Sequence, residues 1–377
     1  MKKKPHVCFV SEKLYNYYSN SDEPAGGAQR QQYLLGKGLL KKGYQVTALV
    51  GDYGQPRTIT REGVDIVKGC PGPVKSMKDI PTNILSLFLG IKRVDADIYY
   101  IRGAPPLFTI TQILCELIGK STVYCIANDR DVDPERLSNS KKIEYNSALL
   151  KLYDQAIKRS DLRIAQTIRQ KNMMENNYKS ESIVIPNGYT LPKKKDILPH
   201  SSRDFVLWVG TSDYEQKRPD RLLEIARQLP NIDFVMICRN KSSDEYYASL
   251  SKKALKIDNL TFVESVPPEE IHEYFRKASL LVCTSDYEGF PNTFLEAWRY
   301  ETPVVSSHFR LDNNFEDIGI VSGNIDSFIE DIKRIYEDIR YREKLGKKSR
   351  NYLNENYHIS KVLRMYDQEI KSISATN

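Results

Sequence analysis

ASLLVCTSDYEGFPNTFLEAWRYETPVVSS, residues 278–307, is the stretch from which the rest of the chain can be read. ASLLVCTSD and TPVVSS are short apolar runs suited to buried strands, and a turn and a helix start lie between them. Pro291 fits the first turn of that helix, where a missing N–H costs nothing. The amides of Asn292 and Thr293 then have no intrahelical acceptors, and with the helix dipole they form a seat for a phosphate. Glu288 and Glu296 stand on either side of this corner. A phosphate repels carboxylates, so the glutamates face other parts of a ligand, and sugar hydroxyls are natural donors to them. Glu296, about a turn into the helix, is placed for a ribose, and Glu288, on the loop, for a transferred sugar.

The same alternation extends in both directions. Toward the amino end come HVCFV, a helix from about Gln29 to Lys42, QVTALV, DIYYI, a helix near Leu107–Ile118, and TVYCIA. A second series opens at FVLWVG and continues through IDFVMIC, LTFVES and the opening stretch itself. Strands alternating with helices predict parallel sheets covered on both faces. Proline, serine and charge interrupt the pattern at residues 189–203, which marks a boundary. The expected organisation is a first Rossmann-like domain over 1–195, a second over 203–355, and a closing helix over 356–377 that packs back on the first domain. Its apolar positions Val362, Leu363, Met365, Tyr366 and Ile370 have helical spacing. Two doubly wound α/β domains facing a central cleft would put the ligand at the carboxyl ends of their strands.

At 377 residues the chain is long enough for two cores, and 40% apolar with 28% charged residues is globular composition. The longest apolar stretch, NILSLFLGI, is too short to cross a bilayer, and VCFV after the basic start is too short for a signal-peptide core. A cytoplasmic protein is expected. Cys8, Cys70, Cys115, Cys125, Cys238 and Cys283 show no paired spacing and read as buried thiols. The net charge of +7 suits phosphates or an anionic membrane face. The basic runs Lys2–Lys4 and Lys193–Lys195 lack interleaved aromatics, so nucleic acid is not an expected partner.

Two further loops carry chemistry. In EPAGGAQRQQY, Gly26 and Gly27 precede a helix and let backbone amides approach an anion, although the G-x-G-x-x-G spacing of a dinucleotide site is absent. In FVLWVGTSDYEQKRPDRLLEIARQL, a strand ends at Gly210, and Lys217 and Arg218 sit just ahead of Pro219 at a helix start. A lysine held there can neutralise a diphosphate, and a plain exposed loop explains both segments equally well.

Taken in order, GGAQ, SDLRIAQT leading to IVIPNGY, WVGTSDYEQKRP, and the E-x7-E element Glu288–Glu296 resemble the retaining family-4 glycosyltransferases of the GT-B fold. The resemblance runs from HVCFV to the last helix. It implies a nucleotide-sugar donor, UDP- or GDP-linked, bound mainly by the second domain, and a glycan or lipid-linked acceptor bound mainly by the first. By resemblance, Lys217 binds the diphosphate, Glu296 the ribose, and Glu288 lies by the donor sugar. Gly27 lies near the phosphates, with Gly26 beside it, and the backbone of Gly289, Phe290, Pro291, Asn292 and Thr293 is similarly placed. Glu264, Ser265 and Val266 are candidates to hold the base, and Gly210 closes the strand before the phosphate loop. No cofactor or metal is implied.

Two positions depart from the family pattern. Thr211 stands where many relatives have an arginine, leaving Arg218 to compensate. Asn128 followed by Asp129 replaces a frequent histidine, so Asp129 or Asp131 is the candidate to hold donor or acceptor. The DRD run 129–131 also invites a metal reading, with Arg130 able to neutralise both carboxylates instead. A nucleotide-sugar epimerase and a non-catalytic sugar-nucleotide-binding protein remain alternatives. The basic charge and PTNILSLFLGIKR leave peripheral contact with the inner membrane face open.

Overall fold

The structure, a computed structural model, describes residues 4–19, 26–72, 79–138, 147–267, 270–310 and 315–376. Lys2 and Lys3 of the first basic run, and Glu23–Ala25 ahead of the glycine pair, lie outside these residues. Contacts gather the chain into two units, Met1–Gly188 with Ile359–Asn377, and Tyr189–His358.

The first unit holds an eight-stranded sheet: β1 (His6–Val10), β2 (Gln45–Val50), β3 (Thr58–Arg61), β4 (Val64–Lys68), β5 (Ile98–Arg102), β6 (Ser121–Cys125), β7 (Leu162–Ala165) and β8 (Ile183–Val184). Their order is β3-β4-β2-β1-β5-β6-β7-β8, parallel except for the antiparallel edge pair β3–β4. β5 and β6 are buried along their whole length, which fits their mainly apolar and aromatic centres, with Arg102, Ser121 and Thr122 at the strand ends. Helices Asp79–Val94, Pro105–Leu117, Ser147–Arg159 and Ile168–Tyr178 supply one core, in which Phe108 stacks on Tyr124 with ring centroids 3.9 Å apart. Helices Gly27–Lys41 and Ile359–Thr376 supply the other. The last helix buries Val362, Tyr366, Ile370 and Ile373, and a Cβ on Gly38 would overlap Leu363. That glycine lets the two helices approach closely.

The second unit is a wholly parallel sheet of β9 (Phe205–Thr211), β10 (Asp233–Arg239), β11 (Leu260–Val263), β12 (Ala278–Cys283), β13 (Val304–Ser306) and β14 (Ile320–Val321). Its order is β11-β10-β9-β12-β13-β14. In each sheet the first strand is flanked by connections that run in opposite directions, between β1 and β5 and between β9 and β12. Such switch points leave a crevice at the carboxyl ends of the strands, where doubly wound sheets bind ligands. All six cysteines are buried and free. Among the described residues no helix is long and apolar enough to cross a membrane.

Candidate active site

At the switch point of the second unit, the loops after β9 and β12 are tied together by their own hydrogen bonds. Trp208 Nε1 donates to Thr284 Oγ1 at 2.8 Å, and that hydroxyl donates to the carbonyl of Lys217 at 2.7 Å. Asp286 N donates to Gln216 O at 3.0 Å, closing the second tie. These bonds fix the Lys217 backbone, and its Nζ lies 2.5 Å from Glu288 Oε1. The same oxygen accepts from Ser285 Oγ at 2.7 Å. Burial works against the Lys217 ammonium, and the neighbouring Glu288 carboxylate outweighs it, holding the lysine above its ordinary pKa. Lys217 therefore remains charged, its partner is a buried carboxylate, and 23% of the lysine side chain still faces solvent.

Gly210 has a local reason to be glycine. A Cβ there would lie 2.5 Å from the Trp208 ring, so the strand could not keep both side chains. Thr211 follows it with a buried Oγ1 that has no hydrogen-bond partner among the described residues. Arg218, at φ 48°, precedes the helix Pro219–Gln228. Its guanidinium pairs with Asp220 at 2.9 Å and Asp286 at 3.1 Å, and Asp286 also pairs with Arg221 at 2.5 Å. Any service of Arg218 to a phosphate would require exchanging those carboxylates.

The opening corner takes the form of a helix over Asn292–Arg299, with Pro291 immediately ahead of it and the Pro291 carbonyl accepting from Phe294 N at 3.0 Å. Pro291 therefore caps the helix instead of lying in its first turn. The amides of Asn292 and Thr293 stand at the amino end. Glu296 is buried, and its Oε2 accepts from Arg299 Nη1 at 2.7 Å. Arg299 also donates to Thr190 O at 2.7 Å. Phe290 is buried edge-on to Tyr357, which anchors the turn through Gly289. Glu264, Ser265 and Val266 follow edge strand β11, with β10 between them and β9; Glu264 and Ser265 are exposed.

In the first unit Gly26 and Gly27 stand at the start of helix Gly27–Lys41, where Gln29 Oε1 accepts from Gly26 N at 3.2 Å. Asp129 is fully buried, accepting from Gln170 Nε2 at 3.1 Å and pairing with Arg169 at 3.3 Å. Its carboxylate is committed to those two partners, so the direct contact with substrate expected of it from the sequence would require them to move. Asp131 is also committed locally, its Oδ2 accepting from the amides of Ala127 and Asn128 at 2.9 Å each. Burial pushes its pKa up against those two bonds. Among the described residues no group of three or more His, Cys, Asp or Glu side chains is gathered to hold a metal.

A network that motif reading missed links the strand ends here. Buried Arg102, closing β5, donates to Gln166 Oε1 at 2.7 Å and to Asn187 Oδ1. Gln166 N donates to Gln170 Oε1 at 2.9 Å, which continues the chain to Asp129. The IPNGY segment that carries Asn187 was visible in the sequence, but its partner lies 85 residues away. In the second unit, Ser285, Thr284 and Asp286 were likewise unmarked, as was Arg299, whose i,i+3 spacing from Glu296 was the one signal that could have announced their pair.

The family model described as Glycosyltransferase Family 4 matches residues 25–191, and that described as Glycosyl transferases group 1 matches 192–352. An uncharacterized glycosyltransferase of Methanocaldococcus jannaschii is 19% identical over 179 residues, and the match covers 43% of each chain. Among solved structures, sucrose-phosphate synthase from Thermosynechococcus elongatus is 16% identical, with TM-score 0.78 over 99% of this chain and 100% of that one. An Escherichia coli trehalose-6-phosphate structure bound with UDP-2-fluoro glucose is 13% identical, with TM-score 0.71 over 97% and 99%. Two family models that abut at residues 191 and 192, over the two doubly wound units described above, place the chain among the family-4, group-1 glycosyltransferases of the GT-B fold.

Proposed function

We propose that this chain is a retaining glycosyltransferase that moves a sugar from a UDP- or GDP-sugar to a glycan or lipid-linked saccharide during synthesis of a surface polysaccharide or glycoconjugate. The observation that carries this reading is the Lys217–Glu288 pair, seated at the β9/β12 switch point. A diphosphate arriving there can take over the ammonium, since 23% of that side chain is already exposed. Glu288, released from the lysine, then accepts hydroxyl hydrogens of the donor sugar. The helix-start amides of Asn292 and Thr293, with the Gly289–Pro291 turn, support the phosphates, and Glu296 takes the ribose. Glu264, Ser265 and Val266 are assigned to the base. Gly26 and Gly27, at a helix start of their own, are assigned to the phosphates as well. Asp129 acts as a positioning residue through Gln170 and Arg169.

In the proposed step the bond between the anomeric carbon and the diphosphate oxygen breaks as the acceptor oxygen joins the same face of the sugar. The departing phosphate takes the acceptor proton, so no protein nucleophile or metal is required. Stabilising the leaving charge is where Lys217 lowers the barrier. The UDP-sugar bound to one structural neighbour supports a donor of that class. The place of action is the cytoplasm, with peripheral contact at the inner membrane face through helix Asp79–Val94. Leu85 and Leu89 on that helix are 55% and 49% exposed, and Lys92 and Arg93 close it.

The test is to incubate the chain with UDP- and GDP-sugars and candidate saccharides, following nucleoside diphosphate release and the anomeric configuration of product by proton NMR. Transfer with the donor's configuration kept is the expected result. A free epimerised sugar formed without acceptor would establish the epimerase alternative, and absence of turnover despite donor binding would establish a binding protein.

A further inference from the structure

Beyond β1 the chain forms a 3-10 turn, Glu12–Tyr17, in which side chains three residues apart eclipse one another. Glu12 and Tyr15 therefore share one face. The loop after β2 closes against that face: Gly51 N donates to Glu12 O at 3.1 Å, continuing the β1–β2 pairing past the strand ends. A side chain on Gly51 would press on both Glu12 Cγ, 3.1 Å away, and Tyr53 Cε2, 3.3 Å away, so Glu12 and Tyr53 flank it directly. Tyr15 and Tyr53 stack with ring centroids 5.4 Å apart and planes 18° from parallel. Gln55 holds the second ring in place, its Oε1 accepting from Tyr53 N at 2.6 Å and its Nε2 donating to Gly51 O at 2.7 Å.

The two rings and the carboxylate thus form a half-buried ledge at the carboxyl ends of β1 and β2, beside the switch point. The Glu12 carboxylate has no hydrogen-bond or ion-pair partner among the described residues, and burial pushes its pKa up against a smaller opposing pull from Lys13. Lys68, the cation paired with this loop, is occupied by Asp52 at 2.7 Å. An aromatic face takes the apolar CH face of a pyranose, and an adjacent carboxylate takes its hydroxyls. A phosphate or uronate would instead meet a carboxylate that no cation among the described residues pairs with directly.

We propose that Glu12, Tyr15 and Tyr53 form an acceptor subsite for an uncharged pyranose, with the sugar ring laid against Tyr15, backed by Tyr53, and its hydroxyls donating to Glu12. This rests on the reading of the first unit as the acceptor side, and it narrows the acceptor to a saccharide whose bound residue is neutral.

Saturation-transfer NMR on the full chain tests it, with millimolar methyl glycosides of glucose, galactose, mannose and N-acetylglucosamine as probes and methyl glucuronide as the charged counterpart. At least one neutral glycoside should receive transfer, strongest at the ring CH protons. Tyr15→Ala should weaken that binding at least tenfold, while Tyr15→Phe, which keeps the ring, should leave it nearly unchanged. Glu12→Gln should narrow the preference for the glucoside over the glucuronide. Absence of transfer from every neutral glycoside, equal binding by Tyr15→Ala, or a glucuronide preference in the wild type would overturn the proposal. Thermal shifts with UDP- and GDP-sugars on the same proteins separate the two readings. Glycoside binding through Tyr15 without any nucleotide-sugar shift would sink the transferase function alone, and unchanged nucleotide-sugar shifts with no Tyr15 dependence would sink the ledge alone.

Discussion

At the carboxyl edge of the second sheet, Lys217 and Glu288 pair at 2.5 Å, and part of the lysine still reaches solvent. At the corresponding edge of the first sheet, Arg102 gives its guanidinium to the neutral side chains of Gln166 and Asn187, and Asp129 is sealed beneath Gln170 and Arg169. The two sheets share the doubly wound order on either side of their first strand, so topology does not explain the difference. On the function proposed here, one site holds charge ready for exchange with an anionic ligand. The other commits its charges to loops, and the half-buried tyrosines and carboxylate beside it are proposed to take a neutral one. The same scaffold thus supports two kinds of recognition through the residues that close its strands.

The largest expected effect falls on the exchangeable side. Lys217→Ala should lower transfer by about 10²–10³-fold, the range for losing one preorganised group that stabilises developing charge. Initial rates at saturating acceptor measure it, and a change of only a few fold would break the contrast. Arg102→Ala should act on folding instead. With the buried Arg102 bonds to Gln166 and Asn187 removed, stability in urea should fall by about 2–3 kcal/mol, while the fraction that stays folded keeps its nucleotide-sugar thermal shift.

His200 extends the comparison to the far end of the second unit, just before β9 begins. It is buried with neither ring nitrogen hydrogen-bonded among the described residues. Burial, followed by the charges of Arg203 and Arg342, holds its pKa down at about 3. A depressed histidine pKa favours the folded state fully above the unfolded value near 6.5, and that stability is lost as pH falls toward 3. Between pH 7 and pH 5 the loss should be about 2 kcal/mol, and His200→Gln should remove that slope from urea titrations. A wild-type slope that survives in the variant would mean that other groups carry it. The smallest effect is expected of Arg218→Ala, whose partners are half exposed. Stability should change by less than about 1 kcal/mol, and donor affinity should change less than in Lys217→Ala.

Much of this was legible in the chain itself. Every strand of the second unit except the two-residue edge strand β14 lay in an apolar run visible by eye; for inner strands such as β12 and β13, buried along their whole length, there is no room for polar alternation. The hairpin β3–β4 escaped notice: TITREGVDIVK carries little apolar patterning, and its turn, Glu62 at φ 51° and Gly63 at φ 81°, is a two-residue signal inside a polar segment. In the site, Lys217 and Glu288 stood out by their positions at loop ends, but their pairing spans 71 residues and only the fold creates it. Gly210 drew notice as the glycine before the phosphate loop, and Trp208 two residues earlier gives a local packing reason for it that the motif did not announce. Asp129 drew attention through its DRD context, yet burial depends on Gln170 arriving from a different helix.

The central claim is that Lys217 exchanges Glu288 for the donor diphosphate. Titration calorimetry with bare UDP and GDP on the wild type, Lys217→Ala and Glu288→Gln tests it most directly. If the claim holds, one nucleoside diphosphate binds the wild type, binds Lys217→Ala at least tenfold more weakly, and binds Glu288→Gln as tightly or more so because the lysine is already released. Equal binding by wild type and Lys217→Ala, or weaker binding by Glu288→Gln to the same degree as the lysine variant, would contradict it.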